Sequence, residues 1–177
     1  MKNLLRNLLL FFSPLLKRKN FLLNQGLAKG MRVNGFLGLM AKFHGIDAGE
    51  EFIKKISLTE KTVYDIGAHI GIYSLFFSKA VGNDGTVIAF EPNPDNYAAL
   101  LKNLEINDIS NVIARKIALS SGTGESEFFV PSSDTKRGSL NKEFMPKGGN
   151  LSAFSVSMDS IDNLVKKGLQ GTRIYKN

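Results

Sequence analysis

The sequence predicts an α/β fold in which the strands of a parallel sheet alternate with helices. Two strand–helix pairs, at residues 62–81 and 86–107, and a third apolar strand at residues 112–119 support this prediction. A glycine loop separates the first strand from its helix, and an acid ends the second strand. Because parallel strands joined by helices form right-handed crossovers, we expect a parallel sheet with two such crossovers, followed by a hairpin and preceded by a helical N-terminal extension.

The predicted N-terminal extension, residues 1–49, is basic and has a helical pattern near its start. Leu4 and Leu8 repeat at helical spacing, and Ser13-Pro14 is typical of the start of a second helix. The uncharged run here is shorter than the ~20 residues that span a bilayer. Three interpretations stay open: a helix packed on the domain, an amphipathic helix at a membrane surface, and a secretory signal. The rest of the extension is predicted as a connecting region with short helices.

The first predicted strand, residues 63–66, runs into a glycine loop and then a helix over residues 72–81. Because Gly67 and Gly71 lack a Cβ atom, the backbone can turn tightly there and a ligand can approach it closely. Ligands of open α/β sheets bind at the carboxyl ends of the strands. Asp65 at the strand tip is therefore predicted to hold the loop or meet a cationic ligand, and the alternative is a cap on the following helix.

The second predicted strand, residues 86–90, ends in Glu91, which can accept hydrogen bonds from both hydroxyls of a ribose. Asn93 and Pro94 predict the start of the next helix. The glycine spacing Asp-x-Gly-x-x-x-Gly differs from the Gly-x-Gly-x-x-Gly that presents a helix N-terminus to a pyrophosphate. A cofactor made of an amino acid and adenosine suits this loop better, which weighs against a nicotinamide-dependent oxidoreductase.

The later elements are predicted from structural patterns alone, and these patterns assign them no functional role. Asn103 and Asn107 are expected at the surface and the end of the second helix. A hairpin turn at residues 122–124 is expected to lead into a strand over residues 125–130. The polar stretch 131–150 is expected to form a mobile loop.

Composition excludes several kinds of site. The chain of 177 residues suits one domain, and it contains no cysteine, which excludes disulfides, thiolate zinc sites and cysteine nucleophiles. With only His44 and His69 available, no metal site is predicted. The net charge of +7 is concentrated before Asp47, where it favours either an anionic membrane surface or nucleic acid, or else forms a solvated basic face. We expect a cytoplasmic protein, with membrane contact through residues 1–20 left open, and no nucleic-acid partner.

Several segments resemble known methyltransferases in order and spacing. Residues 63–74 resemble the first motif of Rossmann-like methyltransferases and, more narrowly, of the FkbM family. Residues 90–94 are similar to that family's second motif, and residues 101–107 to its next helix. Residues 117–122 resemble its third-strand segment, and residues 157–164 a later segment that leads into the fourth strand.

The resemblance implies that residues 50–177 form the N-terminal portion of a Rossmann-like methyltransferase domain, with the first three strands in the order 3-2-1. It implies transfer of a methyl group from S-adenosylmethionine to a hydroxyl oxygen of a sugar or a secondary metabolite. The positions that match the family's cofactor-binding residues fall into three groups. They are Asp65, Gly67, Ala68 and Gly71 on the methionine side, Glu91 at the ribose, and Pro92, Asn93 and Ala118 at the adenine.

The sequence departs from the family near its end. The family continues with a fourth strand of the type Ile-Lys-Ile-Asp-Val-Glu-Gly, whereas here Ile174-Tyr175-Lys176 is followed by Asn177. We therefore expect an incomplete sheet and name no catalytic residue. Two interpretations stay open: a methyltransferase, either active or inactivated by truncation, and a non-catalytic fragment or binding module with the cofactor fold, with or without membrane contact. The acceptor molecule and the oligomeric state are not predicted.

Overall fold

The structure is a computed structural model that describes residues 13–43, 45–131, 138–146 and 150–169. The helix predicted around Leu4 and Leu8 lies outside the described residues, as do residues 170–177. Within the described ranges, no helix is long and apolar enough to cross a bilayer.

The N-terminal segment begins with a helical turn and an antiparallel strand pair. In chain order its elements are α1 (Ser13–Leu16), β1 (Asn20–Leu22), β2 (Arg32–Asn34), α2 (Gly35–Ala41) and α3 (Ala48–Lys54). The strands β1 and β2 pair antiparallel, a pairing that the sequence patterns did not predict, since each strand is only three residues long.

A parallel sheet follows, built as the sequence predicted. Its elements are β3 (Thr62–Ile66), α4 (Ile72–Val81), β4 (Thr86–Phe90), α5 (Pro94–Glu105) and β5 (Val112–Arg115). The sheet order β3-β4-β5, with parallel pairing throughout, confirms the predicted order. The α5 cap is also confirmed, because the side chain of the residue before the helix, Asn93, accepts hydrogen bonds from two backbone amides of its first turn.

The C-terminal part forms a second small sheet. Its elements are β6 (Ala118–Leu119), β7 (Gly124–Pro131), a 3₁₀ turn (Lys142–Phe144), β8 (Leu151–Asp159) and α6 (Ile161–Lys166). The strand β8 lies between the other two, parallel to β6 and antiparallel to β7.

Two predictions about this part were wrong in detail. The single strand expected at residues 112–119 is two strands in different sheets, since β5 ends at Arg115 and β6 pairs with β8. The turn at residues 122–124 does lead into β7, but β7 pairs with β8 and not with the strand before the turn. The reason is that β8 occupies the position between them, a long-range pairing that turn residues do not reveal.

Part of the loop expected to be mobile is fixed, because Ser139 exchanges two backbone hydrogen bonds with Phe129.

The main hydrophobic core joins the N-terminal segment to the parallel sheet. Leu23, Ala28 and Val33 pack in one cluster with the buried side chains of the glycine loop, α4, β4 and α5. Fully burying a leucine or valine side chain contributes roughly 1.5–3 kcal/mol to the stability of the folded chain. The segment around β1 and β2 is therefore attached to the sheet by apolar burial, and it lies beside the glycine loop.

Candidate functional site

The glycine loop between β3 and α4 turns back over the end of β4. The backbone amides of Gly67 and Ala68 both donate to the carbonyl oxygen of Phe90, each at 2.9 Å. Gly67 and Gly71 have φ angles of +75° and +89°, in the left-handed region that favours glycine. A Cβ atom on Gly71 would lie 2.5 Å from the Leu100 side chain, whereas one on Gly67 would meet nothing within 4 Å. Packing therefore explains Gly71, and open space lies above Gly67.

Asp65 fastens the end of β3 to the first turn of α4. Its carboxylate is 8% exposed and accepts a hydrogen bond from the Ser74 hydroxyl at 2.5 Å. Burial raises the pKa of Asp65, and hydrogen bonds from the Ser74 hydroxyl and backbone partly offset that rise. Asp65 is not among the described residues that line the two cavities beside the loop, so the contacts seen here are those of a residue that holds the loop.

Glu91 organises the other end of the loop. One carboxylate oxygen accepts from the His69 amide at 2.7 Å, and the other accepts from the Asn93 amide at 2.9 Å and from Asn96 Nδ2 at 3.4 Å. Burial raises the pKa of Glu91, and these hydrogen bonds partly offset that rise. An ionised carboxylate offers about four acceptor positions, so Glu91 keeps capacity for a ligand. Its bond to the His69 amide also holds His69 at a φ of 52°.

A cavity of about 400 Å³, which we call the Glu91 cavity, opens beside this carboxylate. Four of the sequence-predicted site residues line it: Gly67, Glu91, Pro92 and Ala118. Aromatic side chains of β7 and the 3₁₀ turn, Phe128 and Phe144, line it as well. The predicted residue Asn93 is elsewhere, since its side chain is buried and caps α5.

A second cavity of about 400 Å³, which we call the Glu50 cavity, lies on the other side of the same loop. It shares Gly67 and His69 with the Glu91 cavity and is also lined by Ala68. Its opposite wall comes from the β1–β2 connection and α2, including Leu27 and Met40. The sequence patterns did not predict this wall, because its residues meet the loop only through the tertiary fold.

Two carboxylates and a phenol give the Glu50 cavity its polar character. Asp47 and Glu50 form the capping box that starts α3, with Glu50 N donating to the Asp47 carboxylate at 2.8 Å. The pKa of Tyr73 is raised first by burial and then by the negative charges of Glu50 and Asp47. No lysine or arginine is among the described residues that line this cavity. The cavity therefore favours a cationic group.

The glycine loop, the acid at the tip of β4 and the sheet order all fit the methyltransferase resemblance, and a comparison with protein families decides it. A model described as "Methyltransferase FkbM domain" matches residues 65–175. The chain belongs to the FkbM methyltransferase family.

Individual relatives of this FkbM chain match it over shorter stretches. The methyltransferase sdnD of Sordaria araneosa is 40% identical over 63 residues, which are 35% of this chain and 24% of that protein. This match therefore spans about a quarter of the curated relative's length. Among solved structures, a SAM-dependent methyltransferase from Aquifex aeolicus is 27% identical, with a TM-score of 0.36 over 39% of this chain and 37% of its own. A protein-L-isoaspartate O-methyltransferase is 27% identical, with a TM-score of 0.35 over 37% of this chain and 21% of its own.

The FkbM domain also contains one buried amide that the sequence placed wrongly. Asn103 was expected at the surface of α5, but its side chain is 0% exposed and Nδ2 donates to the carbonyl oxygen of Ile70 in the glycine loop at 2.7 Å. The prediction failed because asparagine is usually solvent-exposed, and only its partners in other elements make burial possible here.

Proposed function

We propose that the chain binds S-adenosylmethionine across the glycine loop and uses it for methyl transfer to a hydroxyl oxygen of a sugar or another small molecule. The observation that supports this most is the pair of cavities, which meet at Gly67 and His69 and each contain a buried carboxylate. Each volume falls within the range of about 300–1,000 Å³ typical of ligand pockets.

The Glu91 cavity suits the adenosine half. Glu91 is 5% exposed and already accepts three hydrogen bonds, so about one acceptor position remains, and it is presented rigidly to a ribose hydroxyl. Pro92 and Ala118 provide flat apolar surfaces for an adenine ring, and the open space above Gly67 lets the ligand pass close to the backbone. No lysine or arginine is among the described residues of this wall, which disfavours a pyrophosphate.

The Glu50 cavity suits the methionine half. Asp47 and Glu50 would attract the α-ammonium group, and the capping box that they form holds both carboxylates in place. Ala68 and Ile70 line the cavity beside the loop, where an aliphatic chain can pack. Of the residues assigned to the methionine side by resemblance, Gly67 and Ala68 line this cavity, while Asp65 and Gly71 shape the loop behind it.

The protein's contribution to methyl transfer is binding and alignment. When bound, S-adenosylmethionine supplies a sulfonium methyl group that an acceptor oxygen can attack in line with the departing sulfur. The two cavities would hold the cofactor at its two ends, and Gly67 and His69 line both of them. Alignment of the reacting groups in this way can provide much of the rate enhancement of a bimolecular reaction.

Calorimetric titration of the full chain with S-adenosylmethionine and with NAD tests the cofactor assignment. We expect saturable binding of S-adenosylmethionine and no binding of NAD. The reverse preference, or no binding of either, would overturn the assignment. Turnover with methyl-labelled cofactor and a panel of hydroxylated sugars and metabolites tests the second step. Label in a methyl ether is expected, and binding without turnover on any acceptor would restrict the chain to a cofactor-binding role.

A further inference from the structure

Asn103 joins two segments that are far apart in the sequence. Its Nδ2 donates to the Ile70 carbonyl oxygen in the glycine loop, and its Oδ1 accepts from the backbone amide of Asn34, both at 2.7 Å. The side chain is completely buried. A buried amide with two short hydrogen bonds to backbone groups is a rigid link, because breaking it leaves polar groups without water.

Both ends of this link belong to walls of the Glu50 cavity. Ile70 lines the cavity directly. Asn34 is the residue that precedes α2, and α2 contributes Leu37, Met40 and Ala41 to the opposite wall. Asn103 itself is not among the described residues that line either cavity. Its two hydrogen bonds therefore connect the segments from which the two walls are built.

A second asparagine one helical turn further supports only one of these walls. Asn107 accepts from the Arg32 amide at 2.8 Å and donates to the Arg32 carbonyl oxygen at 2.7 Å. It also donates to the Asn103 carbonyl oxygen at 2.7 Å. Asn103 of α5 and Asn107, two residues beyond its end, thus provide hydrogen-bond partners for the edge of β2 that does not pair with β1, as a neighbouring strand would. Of the two, Asn103 also reaches the glycine loop.

We propose that Asn103 is a positioning residue that sets the distance between the glycine loop and the N-terminal segment, and thereby the shape of the cavity that receives the methionine half of the cofactor. This inference rests on the proposed function. It predicts that loss of the Asn103 amide weakens cofactor binding more than the accompanying loss of stability explains.

Asn111 provides a matched control. Its Nδ2 donates to the carbonyl oxygens of Ser78 and Gly82 at 2.9 and 2.8 Å, and its Oδ1 accepts from the Ser78 hydroxyl at 2.6 Å. It therefore makes the same kind of side-chain link as Asn103, but at the far end of α4. Asn103→Ala and Asn111→Ala are both expected to lower the Tm of the ligand-free chain.

Titration with S-adenosylmethionine separates the two variants. Asn103→Ala is expected to raise the Kd about tenfold, which corresponds to about 1.4 kcal/mol, while Asn111→Ala stays within about twofold of the wild-type chain. A wild-type Kd for Asn103→Ala, or an equal rise in both variants, would overturn the inference and leave the proposed function intact. Absence of binding by the wild-type chain would overturn the proposed function and the inference with it.

A milder pair of variants decides the question if Asn103→Ala does not fold. Asn34→Pro removes the backbone donor to Asn103 and puts a ring carbon in its place, so the Asn103 side chain must move away, whereas Asn34→Ala retains the donor; the φ of −80° at this residue is compatible with proline. We expect Asn34→Pro to bind S-adenosylmethionine more weakly than Asn34→Ala. Equal affinities in this pair would contradict a positioning role for the link.

Discussion

The two cavities beside the glycine loop have similar volumes but different origins. The Glu91 cavity takes one side from the ends of β3, β4 and β6, where four of its lining residues were predicted from the sequence, and the other side from β7 and residues 138–144. The Glu50 cavity takes one wall from the same loop and the other from the β1–β2 connection and α2. Lining residues at the ends of strands can therefore be predicted from local sequence patterns. A wall supplied by a distant segment becomes visible only in the folded structure.

The same comparison suggests that the cavities act on different ends of the cofactor. If so, 5′-methylthioadenosine, which lacks the amino-acid end of S-adenosylmethionine, should depend on only one of them. The following predictions use this difference and run from the largest expected effect to the smallest.

Glu91→Gln should have the largest effect, and it should weaken the binding of both S-adenosylmethionine and 5′-methylthioadenosine. The change removes the charge that accepts from the His69 and Asn93 amides, and it turns an amide group toward one of those donors. Hydrogen bonds to charged groups are worth about 1.5–3 kcal/mol each, so we expect Kd to rise about 100-fold by calorimetry. Glu105→Gln, on an exposed position of α5, is the control. Wild-type affinity for 5′-methylthioadenosine in Glu91→Gln would show that the ribose binds elsewhere.

Glu50→Gln should raise the Kd for S-adenosylmethionine about tenfold, a loss of about 1.4 kcal/mol of binding free energy. The Kd for 5′-methylthioadenosine should stay unchanged. Glutamine can also complete a capping box, so α3 should keep its start while the cavity loses one negative charge. The matched control is Glu51→Gln, which changes the neighbouring exposed acid of the same helix. An equal loss for both ligands would mean that the two cavities do not divide the cofactor as proposed.

Asp65→Asn should change the pH dependence of stability, and this is the smallest expected effect because Ser74 offsets part of the burial cost. Burial raises the pKa of Asp65 above 3.8, so the folded chain binds this proton more tightly than the unfolded chain does. The charged carboxylate therefore costs stability above its folded pKa, and that cost disappears as the pH falls through the folded pKa and below 3.8. In urea unfolding, the free energy of unfolding of Asp65→Asn should increase relative to that of the wild-type chain as the pH rises from about 4 to 7.

The hydrogen bond from Ser74 supplies an internal check on this prediction. Ser74→Ala removes a group that stabilises the charged form of Asp65. The cost of ionisation should then grow, and the loss of stability with rising pH should become steeper than in the wild-type chain. A parallel pH dependence in wild type, Asp65→Asn and Ser74→Ala would show that Asp65 is not the group responsible.

The sequence by itself determined the alternation of parallel strands and helices, the glycine loop and the position of Glu91 at a strand tip. These features follow from local patterns, because strand, turn and helix-start signals act over a few residues. The tertiary structure decided the placement of β8 between β6 and β7, the burial of Asn103 and the second wall of the Glu50 cavity. Each of these depends on partners far along the chain, 69 residues apart in the case of Asn34 and Asn103, and no local pattern specifies which distant backbone groups a side chain will meet.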